Sequence, residues 1–470
     1  DPGHRSRVPD SMIGCRDCNR TELVRRAVAE AGRGLPGIEP GMPLPAGTGL
    51  SRREFVSRSA GLALAVYGGG ALSSLALDDG IAQAAASPPA GQNVLVSVFL
   101  AGGIDGMSVL FPAGDPLYYH LRPNLALPQT AGIAYTGDSR LRWNPAAASI
   151  ATLYGEGKVS PIPAIGYADS DLSHFTSRHY WEVGATDAAL RTGWLGRYLD
   201  LVGTADNPLQ GLTLDVALQP ALATAKVPVA TLQAPNLYGF TNTGFAPHPL
   251  QSSMLQEAAN IGALHMQSAD SGLSAAGEAA LSSHHLSTEL GAFAYGYNTP
   301  VPYPVSTDPF PGRLAGLAAM IAAGLPMRVV TITSPGHFDT HATQAGTLTS
   351  GLQLTSDSLL AFQRDLEARG VADRVLVQVW SEFGRRAIEN ASAGTDHGSA
   401  GVGFLIGTQV NGQQLGEYPG VTGGLDGNQD LVPTADFRAI YAAILEQWLG
   451  ADSNAVLPDA AGYQRPSLLK

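Results

Sequence analysis

Carboxylate and imidazole side chains are concentrated in one stretch of this chain, between residues 329 and 398. Each lies beside a segment whose apolar pattern predicts the end of a β-strand. Carboxylate oxygens and imidazole nitrogens are common ligands of divalent metal ions. Because only 14% of all residues are charged, this concentration indicates a metal site. The five residues are Asp339, His341, Glu382, Asp396 and His397.

The positions of these residues limit what the site could be. Asp339 and His341 stand two apart in the loop after the predicted strand Arg328–Thr333, where they could hold one ion or two neighbouring ions. Glu382 follows the predicted strand Arg374–Trp380. Each residue alone has an ordinary structural explanation, so the prediction depends on their convergence after consecutive strands.

An aspartate near the first predicted strand is a further candidate ligand. Asp105 follows the apolar run Val94–Leu100 and lies among glycines. Glycines let the backbone bend sharply, which could bring the carboxylate to a bound ion. The alternative is a turn aspartate that only caps the next segment.

Apolar strands alternate with amphipathic helices along most of the chain. This alternation predicts an α/β fold, a doubly wound, mostly parallel sheet with helices on both faces. Such sheets bind ligands at the carboxyl ends of their strands, where the candidate ligands lie. The sequence divides into an extension, 1–90, a main domain, 91–450, and a C-terminal tail, 451–470. Within the main domain, a segment rich in Ser, Ala, Gly and His at about 239–311 predicts a helical or loop insertion or cap.

The extension has the pattern of an export signal. Arg52 and Arg53 precede a modest apolar run and the small-residue site Ala82-Gln83-Ala84, which is the order of a twin-arginine (Tat) signal. We therefore expect the Tat export machinery to carry the folded protein to the periplasm, the cell surface or the medium. If the signal is not cleaved, we expect an anchored protein.

Cysteines and charge limit the chemistry and the partners. The only cysteines, Cys15 and Cys18, predict a reduced or incidental pair, with a redox pair or half of a zinc site as alternatives. The formal charge of −12 argues against nucleic-acid and anionic-membrane partners, which require dense basic patches.

Six short motifs at the predicted strand ends and loops together resemble one family. They are Leu100-Ala101-Gly102-Gly103-Ile104-Asp105-Gly106, Ser173-His174-Phe175, Asp339-Thr340-His341, Ser381-Glu382-Phe383-Gly384-Arg385, Gly394-Thr395-Asp396-His397-Gly398 and Asp436-Phe437-Arg438. The chain resembles the bacterial "domain of unknown function 1501" family, usually exported by Tat, over about residues 93–449. The resemblance implies an alkaline-phosphatase-like fold, as in a branch of the alkaline-phosphatase and sulfatase superfamily.

The resemblance also implies roles for the candidate ligands. Asp105 resembles the metal aspartate of the first strand, and Asp339 and His341 resemble the pair that holds one ion. Glu382 stands where the superfamily has an aspartate, and His397 resembles its last metal-binding histidine.

One ligand of that pattern is missing. Phe383 stands where a histidine is expected, so a single-ion or altered site is implied in place of a complete two-zinc site. A rival alignment places Asp396 and His397 on the Asp-His pair and leaves no later histidine.

A nucleophile at a helix N-terminus is implied as well, because backbone N–H groups there stabilise oxyanions. Ser173 has that position, although an N-cap is its simpler role. His174 is a candidate ligand or substrate contact. Arg385 is a candidate contact for an anionic group, with pairing to a nearby acid as the alternative. The C/S-x-P-x-R motif of sulfatases is absent from the sequence, so a sulfatase proper is not expected.

Two hypotheses of different kinds follow. The first is an exported, metal-dependent hydrolase-like protein that acts on a phosphate, sulfate or related ester of a small molecule or glycan. Zinc is the expected ion, with manganese or calcium as alternatives. The second is a non-catalytic envelope or assembly protein, able to self-assemble, that keeps the fold and a structural ion.

Overall fold

The computed structural model describes residues 92–238, 248–293 and 295–470. The predictions about the Tat signal and about Cys15 and Cys18 lie outside the described residues. Within the described ranges, no helix combines the length and the apolar character needed to cross a bilayer.

An eight-stranded sheet forms the centre of the molecule, in the order β13-β5-β12-β9-β1-β8-β6-β7. All of these strands run in one direction except β12, which is antiparallel to β5 and β9. The strands are β1 Val94–Phe99, β2 Leu110–Phe111, β3 Ile133–Ala134, β4 Arg142–Trp143, β5 Val159–Gly166, β6 Gly211–Thr213, β7 Ala230–Thr231, β8 Val329–Thr333, β9 Val375–Trp380, β10 Gly384–Arg385, β11 His397–Gly398, β12 Gly401–Ile406 and β13 Ala435–Asp436.

Helices cover both faces of this sheet. Alternate residues of β1 point to opposite faces, as the period of a strand requires. The helices are α1 Gly106–Val109, α2 Pro116–Leu121, α3 Ala148–Gly155, α4 Thr176–Val183, α5 Trp194–Val202, α6 His248–His265, α7 Ser271–Glu289, α8 Phe310–Ala322, α9 Gln344–Ala368 and α10 Phe437–Ala443, which continues as a π-turn, Ile444–Trp448.

Two apolar clusters form the core, one on each face. Val96 and Val98 belong to a cluster that includes Leu314 of α8 and Phe362 of α9. Leu95 and Phe99 belong to the other cluster, which contains apolar residues of α4, α5 and α10. The predicted doubly wound, mostly parallel α/β fold is therefore confirmed.

The central strands end at one edge of the sheet. Phe99, the last residue of β1, pairs with Thr333 at the end of β8 and with Trp380 at the end of β9. Because the three strands are parallel, the loops that follow them meet at this carboxyl edge. This register brings together residues that are more than 200 positions apart in the sequence.

The predicted insertion contains two helices, α6 and α7, packed against each other. Gly262 and Gly277 allow the close approach, since a Cβ on either would lie 2.7 Å or less from a carbonyl oxygen of the other. The segment 451–470, which the sequence separates as a tail, packs onto the sheet, and its Leu468 is fully buried. The domain boundaries themselves stay predictions.

Candidate metal centre

Three loops and one hairpin supply the candidate site at the carboxyl edge. The loop after β8 carries Asp339 and His341, and the residue two after β9 is Glu382. The short hairpin β10–β11 pairs Arg385 with His397. The loop before α4 contributes His174.

Three of these side chains converge on one point, and a fourth contacts two of them. The ligand atoms of His174, Asp339 and His397 all lie within 4.8 Å of one another. Asp339 Oδ1 is 3.4 Å from His174 Nε2 and 3.3 Å from His397 Nε2. His341 Nε2 lies 3.0 Å from both Asp339 Oδ1 and His397 Nε2. The structure thus brings together Asp339, His341 and His397 with His174, which the sequence indicates as a candidate ligand or substrate contact.

The opposite nitrogen of each imidazole is held by an oxygen atom. His174 Nδ1 lies 2.9 Å from Glu382 Oε1, His341 Nδ1 lies 2.9 Å from Asp396 Oδ1, and His397 Nδ1 lies 2.7 Å from the Leu172 carbonyl. Since these oxygens only accept, each Nδ1 donates a hydrogen and a neutral ring keeps a lone pair on Nε2. Metal-binding histidines are held in this way by outer partners.

The pKa values of His174 and His397 show that the site favours a bound positive charge. His174 Nε2 is buried and makes no hydrogen bond, although it lies near Asp339. Burial lowers the pKa of His174, but its contacts with Asp339 and Glu382 raise it more, to about 9. Burial lowers the pKa of His397 below its usual value, which favours the neutral form that binds metals. A proton or a metal ion can satisfy the converging lone pairs.

Asp339 stays ionised at the centre of the group. Burial raises its pKa, but contacts with three imidazoles and with Arg385 hold the pKa far below the usual range. Arg385 Nη2 lies 2.7 Å from Asp339 Oδ1. The carboxylate is therefore a permanent anion toward which the imidazoles point.

Glu382 orients His174, and its carboxylate is not among the converging ligands. Besides His174, it accepts hydrogen bonds from the backbone N–H groups of Gly102 and Gly103, at 2.9 and 3.0 Å. Burial raises the pKa of Glu382, but the bond to His174 and nearby charges lower it overall. The structure gives Glu382 the role of an outer partner instead of the predicted ligand.

The two glycines are required by their conformation and by space. Gly102 has φ +113°, and a Cβ there would lie 2.2 Å from the Asp339 nitrogen. Gly103 has φ +73°, and its Cβ would lie 2.3 Å from the Phe383 ring. Glycine alone allows this turn to approach the Asp339 loop and Glu382.

Asp105 is placed elsewhere, which corrects its assignment as a ligand. Its carboxylate forms a buried two-point ion pair with Arg122, at 2.6 and 3.0 Å. Ser108 and Gln344 donate to it as well. Burial raises the pKa of Asp105, but Arg122, Ser108 and Gln344 together lower it below its usual value, so Asp105 is ionised. The reason for the different placement is that the buried Arg122 binds both of its carboxylate oxygens.

Arg385 and Asp396 also differ from their predicted roles. Arg385 is buried, and its N–H groups donate to the carbonyls of Gly102, Gly103 and Thr395 and to Asp339. It is therefore committed to the protein and is not an anion receptor. Asp396 has a half-exposed side chain and holds His341, not the convergence point.

Ser173 and Phe383 flank the group. The Ser173 Oγ accepts from the Phe175 N–H at 3.2 Å, and α4 begins only at Thr176. Ser173 therefore stabilises a local turn and is not the N-cap of α4. The Phe383 ring packs against His174 and His397, with ring centroids 4.8 and 4.5 Å apart.

The donor set fits a zinc ion. Imidazole nitrogens with one carboxylate oxygen suit zinc and other late first-row metals, whereas calcium and magnesium prefer oxygen ligands. The His341 side chain is 24% exposed, so the group is accessible from solvent. A His/Asp group able to hold a metal ion is thus present, and the identity of the ion is a matter for experiment.

The comparisons with solved structures show a distant likeness. The lipoteichoic acid synthase LtaP from Listeria monocytogenes is 9% identical, with a TM-score of 0.35, over 78% of this chain and 74% of that one. A protein in the alkaline phosphatase superfamily from Vibrio parahaemolyticus is 9% identical, with a TM-score of 0.34, over 80% and 70%. The C-terminal periplasmic domain of EcEptC from Escherichia coli, in complex with Zn, is 10% identical, with a TM-score of 0.36, over 82% and 94%.

At these levels of similarity, substrates and reactions do not transfer to this chain. No curated protein matches it. One family does match, over residues 163–466, which is more than half of the chain and includes five of the six motifs. The family expected from those motifs is confirmed: the chain belongs to the family described as "Protein of unknown function (DUF1501)".

Proposed function

We propose that this protein is a metal-dependent hydrolase that acts on a phosphate, sulfate or related ester. The observation that carries the proposal is the convergence of three imidazole Nε2 atoms on Asp339 Oδ1, with every Nδ1 anchored by an oxygen. Zinc would be held by His174, Asp339 and His397, with His341 beside them. When bound there, the ion would supply Lewis-acid polarisation of an ester oxygen.

The protein's own residues prepare this site. Glu382 and Asp396 fix the orientation of His174 and His341, so the ligand nitrogens need not reorganise. Arg385 balances the charge of the Asp339 carboxylate and links it to the turn after β1 through the Gly102 carbonyl. The buried Phe383 ring closes one side of the group to water.

Arg178 is our candidate for binding the anionic group of the ester. Its Cζ lies 4.6 Å over the ring of Phe99, the last residue of β1, and its side chain is 37% exposed. Its Nε donates to Glu182, and its charge helps to lower the pKa of Glu382. A guanidinium at the carboxyl edge, close enough to act on Glu382, is suited to a phosphate or sulfate oxygen.

Substitution of Arg178 tests this assignment. Arg178→Lys keeps the charge beside Glu182 but loses the planar fork, so we expect KM for an aryl phosphate to rise about tenfold while kcat changes less. Arg191→Lys, on the loop after α4, is the matched control. An equal KM in the Arg178 variant and the wild type would remove Arg178 from the proposal.

The central experiment combines metal analysis with an ester panel. We expect about one equivalent of zinc in purified protein and hydrolysis of aryl phosphate or aryl sulfate esters. Asp339→Ala should abolish both, whereas Asp373→Ala, at an exposed position before β9, should change neither. Ser173→Ala decides the nucleophile: loss of turnover with zinc retained supports Ser173, and full activity excludes it.

One observation favours the non-catalytic alternative. His341 Nε2 lies 3.0 Å from both Asp339 Oδ1 and His397 Nε2, where it could close the group as a fourth donor. A closed four-ligand zinc site is typical of structural ions. Stoichiometric zinc without turnover across the ester panel would support this assembly role. Concentration-dependent light scattering of the same sample would then measure self-assembly.

Export is a separate part of the proposal. We propose that the Tat machinery exports the protein through Arg52 and Arg53. Replacing both arginines by lysine should retain the protein in the cytoplasmic fraction, and unchanged export would contradict the proposal.

A further inference from the structure

A buried glutamine joins the two loops that carry most of the candidate ligands. Gln344 is the first residue of α9 and is 1% exposed. Its Oε1 accepts from the hydroxyls of Thr340 and Thr395, at 2.9 and 2.5 Å. Thr340 stands between the two ligands of the β8 loop, and Thr395 stands two residues before the ligand of β11. One side-chain oxygen thus binds both loops.

The orientation of this amide is fixed by a buried charge. Gln344 Nε2 donates to Asp105 Oδ2 at 2.5 Å. Asp105 is ionised because Arg122 pairs with both of its oxygens, and an ionised carboxylate only accepts hydrogen bonds. The reversed amide would place Oε1 against that carboxylate. Nε2 therefore faces Asp105, and Oε1 must face the threonines.

The hydrogen-bonded group of Gln344, Asp105 and Arg122 also contacts a third segment of the site. Arg122 also donates to the carbonyls of Arg386 and Ala387, just after the residue that holds Asp339. The Thr395 N–H donates to the Thr340 carbonyl at 3.0 Å, which brings the two loops side by side. Gln344, its two threonine partners and the Asp105–Arg122 pair are all buried, so water competes little for their hydrogen bonds.

We infer that Gln344 is a positioning residue that sets the separation of the Asp339–His341 loop from the Asp396–His397 loop. Asp105 and Arg122 support this role because they fix the orientation of the Gln344 side-chain amide. The inference rests on the proposed metal site for its effect on zinc, but the tie between the loops exists without metal. It gives Asp105 a function in the site other than ligation.

Hydrogen–deuterium exchange on metal-free protein tests the tie directly. Gln344→Met keeps the size of the side chain and removes both hydrogen-bonding groups. We expect exchange in peptides covering 338–343 and 394–398 to become at least about tenfold faster. Gln363→Met is the matched control, because Gln363 is an equally buried glutamine of α9 whose partners are Glu367 and Thr408. It should leave both loops unchanged.

Zinc competition with a chromophoric chelator measures the consequence for the site. We expect Gln344→Met to weaken zinc binding at least about tenfold, with an altered visible spectrum of the cobalt-substituted protein. Adding Thr340→Val and Thr395→Val to that variant should weaken zinc binding no further, because the hydroxyls act through the same oxygen. Further loss of the same size from the threonines would contradict the inference.

The outcomes separate this inference from the proposed function. Unchanged loop exchange in Gln344→Met, or equal changes in Gln363→Met, overturns the inference whether or not the protein binds zinc. A wild-type protein that binds no zinc overturns the proposed function, while the exchange experiment still decides the role of Gln344. If Gln344→Met does not fold, Asp105→Asn frees the amide to reverse and should speed exchange in the same two loops.

Discussion

Asp339 Oδ1 has four nitrogen atoms within 3.4 Å: the Nε2 atoms of three histidines and the Nη2 of Arg385. An oxygen in such surroundings is held in place from several directions. Because Arg385 takes one direction and the imidazoles the others, the geometry of the group is set before any ligand arrives. Such preorganisation is what a selective metal site requires.

Glu382 and Asp396 hold equivalent imidazoles in very different surroundings, which leads to a prediction. Glu382→Gln replaces a buried acceptor by an amide whose NH2 group must face N–H donors, so we expect the metal-free protein to lose about 3 kcal/mol of unfolding free energy. Asp396→Asn makes the same chemical change on a half-exposed side chain and should cost less than about 1 kcal/mol. Urea denaturation measures both, and equal losses would contradict the roles assigned here.

At the scale of elements, the turn after β1 is the part that the site depends on most. It supplies two N–H groups to Glu382 and two carbonyls to Arg385. Both partners belong to the segment after β9, so the turn joins neighbouring parallel strands through side chains beyond the point where the sheet ends. The left-handed conformation of Gly102 and Gly103 is what presents these groups.

Gly102→Ala tests that turn. The added Cβ meets the Asp339 backbone at a positive φ, so we expect a loss of at least about 2 kcal/mol in unfolding free energy and weaker zinc binding. Gly114→Ala is the control, since a methyl group there would have no atom within 4 Å and the φ of Gly114 is not positive. It should stay within about 0.5 kcal/mol. Denaturation and chelator competition on both variants check the prediction.

At the scale of the whole molecule, buried charge is paired even though the chain carries a net charge of −12. The Asp105–Arg122 pair is the clearest case, with both side chains 1% exposed or less. Removing one partner of such a pair leaves a buried charge uncompensated, which is costly. The pair should therefore make stability depend on pH.

The sign of this dependence follows from the pKa of Asp105, which the fold lowers from 3.8. A lowered folded pKa contributes stability above the unfolded value and loses it as the pH falls through the folded value. We expect Asp105→Asn to be about 3 kcal/mol less stable than the wild type at pH 7. That difference should shrink below about pH 4, where Asp105 of the unfolded chain begins to gain a proton while the folded protein keeps it ionised.

Urea midpoints of both proteins between pH 7 and pH 2 measure this difference. Asp138→Asn is the control, because its partner Arg140 is half-exposed and solvent screens the pair. Its stability should follow the wild type across the range. A constant gap between the wild type and Asp105→Asn would mean that Asp105 is not the titrating group.

Part of this molecule could be predicted from local sequence alone. Apolar runs such as Val94–Phe99 and Val329–Thr333 identify buried parallel strands, because strand formation and burial on both faces impose a continuous apolar pattern. The position of Asp339 and His341 in the loop after a buried strand follows from the same pattern. The α/β fold and the location of the site were therefore determined by the sequence itself.

The roles within the site were decided only by tertiary structure. His174 enters the group through Glu382, which is 208 residues away, and Asp105 leaves it because Arg122 takes its carboxylate. Arg385 becomes a support for Asp339, and Gln344 had no local signal at all. The type of a residue determines what its side chain can bind. Which partner it actually contacts depends on how distant segments of the chain pack together. The sequence determined which groups reach the carboxyl edge, and only the fold decided which of them face each other there.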